Sequence, residues 1–387
     1  MTLKNLSIVI NTRNKPKLLS ASLHYHASLN LSAKLIVVDA SDEDIFELNE
    51  KNIIFFGSKL NISHIKPNDI RQFPSIIYGL SKVSTRYTIV CGDDDFFVPK
   101  ALEQCINFLE NNSDYSACMG EVLKISGEWN PLIKKWKLLN AHFLSPSSHE
   151  ENEPSARLVA YANRLIVSSY AIHKTEVIRD AYEIARNKSF DIDNSLPELA
   201  LNCFMLMNGK FKRIKGLYHI WFSPARKRSN IGSTLVSGYG GLHWFDKLFS
   251  EEYNAHVKSF IDTMSNELSK TQVLEAHLSR DIILSVWTGL YANMFLRRLK
   301  EQLFLHNKKT FRALSNIHFS QKIFTFLFDK EKFVGLGVTL KYLVISKLIQ
   351  NRILIYGINR DYLKIFLNSI DSEMDKNYIL KNHIGEY

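Results

Sequence analysis

The chain has 387 residues, 45% of them apolar, and carries 49 Lys plus Arg against 39 Asp plus Glu, a net charge of +10. That length buries a full core and suffices for two domains, and the basic excess favours anionic partners such as nucleotide phosphates or an anionic membrane surface. Four cysteines without CxxC spacing exclude a disulfide framework or zinc site and fit a reducing cytoplasm, no leader-type segment or run of ~18 uncharged apolar residues is present, and no motif points to nucleic acid.

Leu6 to Ile10 is short, apolar and β-branched, and predicts a first strand. The turn Asn11 to Pro16 leads into a helix in which Leu18, Leu19, Ser22, Leu23 and His26 recur at helical spacing. Lys34 to Asp39 predicts a second buried strand, Asn52 to Phe56 a third, Pro74 to Lys82 a helix, and Tyr87 to Val90 a fourth strand. Leu102, Ile106 and Leu109 predict an amphipathic helix from Pro99 to Asn111, followed by a strand from Ala117 to Ile125. Residues 126–155 are polar and read as a long loop of the kind that is functional or mobile. Its Trp129 and Trp136 either stack on sugar rings or anchor the loop.

Leu165 to Ile172 returns to strand character, Pro197 to Asn208 reads as a helix closed by Gly209 at its C′ position, and Phe211 to Phe222 holds one or two strands. The basic, Gly/Ser-rich segment 223–241 marks a boundary, and helical patterning follows from His243. Strands alternating with helices predict an α/β fold with a mostly parallel sheet. The expected division is a nucleotide-binding domain over 1–240 and a helical region over 241–387.

The chemistry centres on Cys91-Gly92-Asp93-Asp94-Asp95, directly after the fourth strand. Adjacent carboxylates repel one another, and burial raises their pKa values further. A divalent cation such as Mg²⁺ or Mn²⁺ removes that penalty; the alternative is an acidic turn capping the helix at Pro99. Strand ends at one edge of an α/β sheet are where ligands bind. Thr12 and Asn14 after the first strand, and Asp39 at the end of the second, face that edge or simply form turns. Glu198 follows Pro197 at a helix start, where it either caps the helix or acts as a general base; Asp191 and Asp193 are rivals for that role. His219 is either a metal ligand or a core histidine. Arg226, Lys227 and Arg228 either clamp a diphosphate or form a solvated loop.

In this order the segments resemble a family 2 glycosyltransferase with the GT-A fold. Ser7-Ile8-Val9-Ile10-Asn11-Thr12-Arg13-Asn14 is similar to the opening strand, where the family usually has Pro-Thr-Tyr-Asn. Leu35 to Asp42 is similar to the second strand, with Ala40 in place of the usual second Asp. Tyr87 to Asp95, followed by Pro99 and Leu102, is similar to the strand carrying the Asp-x-Asp motif. The resemblance covers about residues 5–225 and is closest to bacterial members that build surface polysaccharides.

That resemblance implies a nucleotide-sugar donor, Mn²⁺ or Mg²⁺, and a glycan or lipid-linked glycan acceptor. It implies nucleoside contacts from Thr12 and Asp39, metal binding by Asp93 and above all Asp95, a ribose contact from Asp94, and a catalytic base at Glu198. His219 and the basic run fall where family members close over the diphosphate, and Arg71 replaces a missing Ala-Arg-Asn segment as a donor-binding cation. Inversion of the anomeric centre is implied with the rest. The rival functions are a nucleotidyltransferase, which lacks its glycine-rich loop here, and a non-catalytic scaffold with a decayed donor site.

In the C-terminal region Arg297, Arg298, Lys300, Lys308, Lys309 and Arg312 cluster around Phe295, Leu299, Leu303, Phe304 and Phe311. Such a segment either lies peripherally on an anionic membrane, forms a homodimer, or is an ordinary helix with one solvated face.

Overall fold

The computed structural model describes residues 3–130, 135–163, 168–187, 195–224, 251–289 and 360–376. Four strands open it: β1 (Leu6–Thr12), β2 (Lys34–Asp39), β3 (Asn61–Ile65) and β4 (Tyr87–Gly92). They pair in parallel in the order β3-β2-β1-β4. Burial along β1, β2 and β4 is nearly continuous, as expected of strands covered on both faces. The connecting helices are α1 (Pro16–Ser28), α2 (Glu43–Phe56) and α3 (Gln72–Leu80).

The sheet then changes character. After the short β5 (Asp95–Phe97) and α4 (Pro99–Asn111), the long β6 (Tyr115–Asn130) forms a hairpin-like pair with β7 (Lys135–Leu144). β8 (Ile172–Lys174) is antiparallel to both β4 and β6, joining the two halves of the sheet. β9 (Lys210–Pro224) runs parallel to β6, and β5 lies antiparallel to β9 at the edge. The expected α/β architecture is present, with parallel pairing concentrated among the first four strands.

Three local expectations change. Asn52 to Phe56 is the last turn and a half of α2, not a strand. Ile53 and Phe56 point inward while Ile54 and Phe55 are 72% and 69% exposed, so an apolar run that mimics a buried strand is split by helical geometry. The third strand is instead the more polar Asn61–Ile65. Residues 126–130 and 135–144 are strand rather than loop. Trp136 anchors this hairpin: its ring meets Phe222 edge-on at 4.9 Å and its indole N–H donates to the Ile370 carbonyl at 3.2 Å.

Gly209 does follow α7 (Ser195–Met207), but not for its left-handed freedom. A Cβ there would sit 2.6 Å from the Ser116 Cβ and 2.7 Å from its backbone nitrogen, so glycine is required by close approach to β6.

α5 (Pro154–Asn163), α6 (Thr175–Ala185), α7 and α8 (Glu251–Thr271) pack together, and Tyr253, Val257, Phe260, Met264 and Leu268 of α8 join the core that holds β1 and β4. α9 (Arg360–Lys376) packs Leu363, Phe366 and Ile370 against Phe96, Leu138 and Phe222. The apolar faces of both helices are part of the sheet's own cores. The basic cluster at 297–312 lies outside the described residues.

Candidate active site

Thr12 stands opposite Asp39, and Asn11 opposite Gly92, so β2, β1 and β4 end side by side. Two clasps order the loops that leave this edge. Asn14 adopts φ 53° and donates its backbone N–H to the Ser41 hydroxyl at 2.8 Å. Its side chain donates to Asp42 and accepts the Asp42 backbone N–H, both at 3.0 Å.

Asp39 is fully buried and accepts from the Ser41 backbone N–H at 3.0 Å and the Asn49 amide at 2.8 Å, with His64 Nε2 at 3.1 Å. Burial pushes its carboxyl pKa up, but hydrogen bonds from His64, Ser41 and Asn49 outweigh that and hold it below the usual range. Asp39 is thus an anion that fastens the β2 loop, α2 and β3 to one another.

The three adjacent aspartates occupy three different environments. Asp93 is buried; it accepts from the Thr12 hydroxyl at 2.7 Å and from Lys15 Nζ at 3.2 Å. Burial raises its pKa, and Lys15 and Thr12 oppose the rise. Asp95 is also buried; one oxygen accepts the Gly92 backbone N–H at 2.7 Å and the other lies 2.6 Å from His219 Nε2. Asp94 is half-buried, and burial together with the charges of Asp95 and Asp93 raises its pKa to about 7. Its carboxylate rests over Gly92, where a Cβ would come within 2.7 Å of Oδ1.

The strand carrying the triplet is held from behind by α1. The Ser22 hydroxyl donates to the Asp95 carbonyl at 3.3 Å, and His26 Nε2 accepts the Phe97 backbone N–H at 3.3 Å. Burial lowers the His26 pKa to about 4, so the ring stays neutral and keeps that lone pair available. In front, Phe97 stacks on His219 at 4.9 Å, His219 lies 5.1 Å from the Tyr170 ring, and Tyr170 lies 6.1 Å from Trp221. Burial raises the Tyr170 pKa well above its usual value, and the charges of Asp95, Asp94 and Glu198 add to it. Glu198 sits exposed in the first turn of α7.

Against the sequence expectations, Asp95 and His219 are brought together, but inside the sheet and on each other. Both oxygens of Asp95 are already engaged, so it is Asp94, not Asp95, that offers a carboxylate without a side-chain partner among the described residues. Arg71 is exposed, grips Asp69 at 2.6 Å, and lines a cleft of about 510 Å³ with Phe73, Glu183, Arg186 and Thr263. Asp191, Asp193, Arg226 and Arg228 lie outside the described residues. Lys15, in the turn directly after β1, meets the aspartate triplet and was not singled out from the sequence.

A family model, glycosyl transferase family 2, matches residues 7–168. Over those residues the chain is similar to family 2 glycosyltransferases. The match spans β1 to α5 and so includes the three strand ends and the aspartate triplet. No curated protein matches the chain in a sequence search. Similar solved structures include S. aureus TarS 1-349, 11% identical over 100% of this chain and 94% of that one, with a TM-score of 0.44. The same TarS fragment in complex with UDP-GlcNAc is 12% identical at the same coverage, with a TM-score of 0.44. A longer TarS structure is 13% identical over 75% of this chain and 54% of that one, with a TM-score of 0.40.

Among the described residues, no group of three or more His, Cys, Asp or Glu converges to hold a metal ion. The open Asp94 carboxylate, crowded by two like charges, instead suits a cation that takes one protein oxygen and the rest from a ligand's phosphates and water. Mg²⁺ is commonly bound in that manner. No described helix is long and apolar enough to cross a membrane.

Proposed function

We propose that the chain transfers a glycosyl group from a nucleotide-diphosphate sugar to an acceptor hydroxyl of a glycan, free or lipid-linked, in polysaccharide assembly. The observation that carries the reading is Asp94, held over Gly92 between two buried aspartates whose charges, with burial, raise its pKa to about 7. Asp94 would hold Mg²⁺ or Mn²⁺ together with the donor's diphosphate. Bound there, the ion supplies neutralising charge for the departing diphosphate.

The protein's own residues do the rest. Thr12 and Lys15 fix Asp93 and hold one positive charge beside the triplet. Asp39 and the Asn14–Asp42 clasp shape the loops that meet the nucleoside. His219 keeps Asp95 in place and so fixes the backbone that presents Asp94. Glu198 takes the proton of the acceptor hydroxyl as its oxygen bonds to the anomeric carbon, while the bond from that carbon to the diphosphate oxygen breaks. Attack from the face opposite the leaving group inverts the anomeric configuration.

The test is a panel of sugar nucleotides, UDP-GlcNAc among them, incubated with and without Mn²⁺ while nucleoside diphosphate release is followed. Metal-dependent release from at least one donor, lost in Asp94→Asn, supports the reading. Absence of binding to every donor at millimolar concentration contradicts it.

A further inference from the structure

Phe366 on α9 is fully buried, and its ring meets Phe96 edge-on at 4.9 Å and Phe222 at 5.7 Å. Phe96 is the residue after Asp95, and the Phe222 backbone N–H donates to the Asp94 carbonyl at 2.9 Å. One ring is therefore wedged between the two residues whose backbones bracket the Asp94–Asp95 turn. The far part of α9 is fastened as well. Asp371 accepts the Trp136 backbone N–H at 2.9 Å, and the Ser372 hydroxyl lies 3.0 Å from His24 Nδ1. His24 belongs to α1, the helix whose Ser22 and His26 hold the β5 backbone.

We propose that Phe366 is a positioning residue for the Asp94–Asp95 turn, acting through Phe96 and Phe222, so that docking of α9 sets the shape of the donor site. α9 thus acts on the backbone of the turn through its two aromatic neighbours. A segment far along the chain thereby becomes part of the catalytic unit. The inference rests on reading this turn as the donor site.

The test is amide hydrogen exchange on the full chain, comparing wild type with Phe366→Ala, Phe366→Leu and a control of equal size on α8, Phe260→Ala. In Phe366→Ala, exchange at Phe97 and Phe222 is expected to rise roughly tenfold or more, with β1 and β2 unchanged. Phe366→Leu restores most of the protection, and Phe260→Ala leaves these amides protected. In the transfer assay, Phe366→Ala raises the donor KM and leaves the acceptor KM unchanged. If Phe366→Ala does not fold, Asp371→Ala removes the acceptor of the Trp136 N–H, loosens the helix tip with the core intact and gives the same local pattern.

Unchanged exchange at Phe97 and Phe222, a uniform rise across the sheet, or an equal effect from Phe260→Ala would overturn the proposal. Exchange requires no donor, so its outcome is separate from that of the glycosyl-transfer reading.

Discussion

His219 and Asp95 face each other 2.6 Å apart across β5 and β9, with side-chain exposures of 0% and 1%. The pair is a fastening inside the sheet. Removing His219 leaves a buried carboxylate with only the Gly92 N–H, and breaking a buried pair in this way costs about 3–5 kcal/mol. His219→Ala is expected to fall in that range by urea unfolding, and Asp95→Asn, which removes the charge and keeps an acceptor, to cost clearly less.

Asp94 should behave in the opposite sense. Its folded pKa, raised to about 7, lies above the unfolded value, so the folded state holds its proton more tightly. Its contribution to stability is full below about pH 4 and is lost as pH rises through about 7. Asp94→Asn is therefore expected to melt higher than wild type at pH 8, with the difference closing by pH 5. A melting-temperature series over that range checks the sign.

The same group gives a pH signature in activity. Protonation of Asp94 below about pH 7 removes the charge that pairs with a cation. The acid limb of kcat/KM is expected near that pH and should move to lower pH as Mn²⁺ is raised, since a bound cation favours the carboxylate. A limb indifferent to metal concentration counts against Asp94 as a ligand.

Gly92 separates geometry from stability. The atom that an added Cβ meets is the far end of Asp94, a flexible group, so Gly92→Ala should shift the carboxylate rather than unfold the strand. The expected result is a melting point within a few degrees of wild type and a donor KM raised roughly tenfold or more.

Glu198 is tested by Glu198→Gln. Loss of a general base costs roughly 10²–10⁴ in rate, and donor binding should persist because Glu198 is on α7 and not among the residues that fix the strand-end turns. Equal losses of donor affinity and rate would place Glu198 in the donor site instead.

Much of this was legible in the chain because β1, β2 and β4 are continuous apolar runs, and Asp39 and the triplet punctuate their ends. What was hidden is tertiary. The triplet reads as three equal carboxylates, yet Thr12, Lys15, Gly92 and His219 divide them into two pinned groups and one open one. No local pattern assigns Asp95 to the interior, because its partner lies on β9. Ile53 to Phe56 misleads because a short apolar run has no period of its own, and only the helix begun at Glu43 decides it. Phe366 could not be placed at all, since its contacts are long-range.

The most direct measurement is binding of a sugar nucleotide to wild type and Asp94→Asn by calorimetry, with Mn²⁺ present and absent. Metal-dependent affinity in the wild type, with that dependence gone in a folded Asp94→Asn, is the predicted result. Equal metal-dependent affinity in both proteins would contradict the assignment of the open aspartate to the donor site.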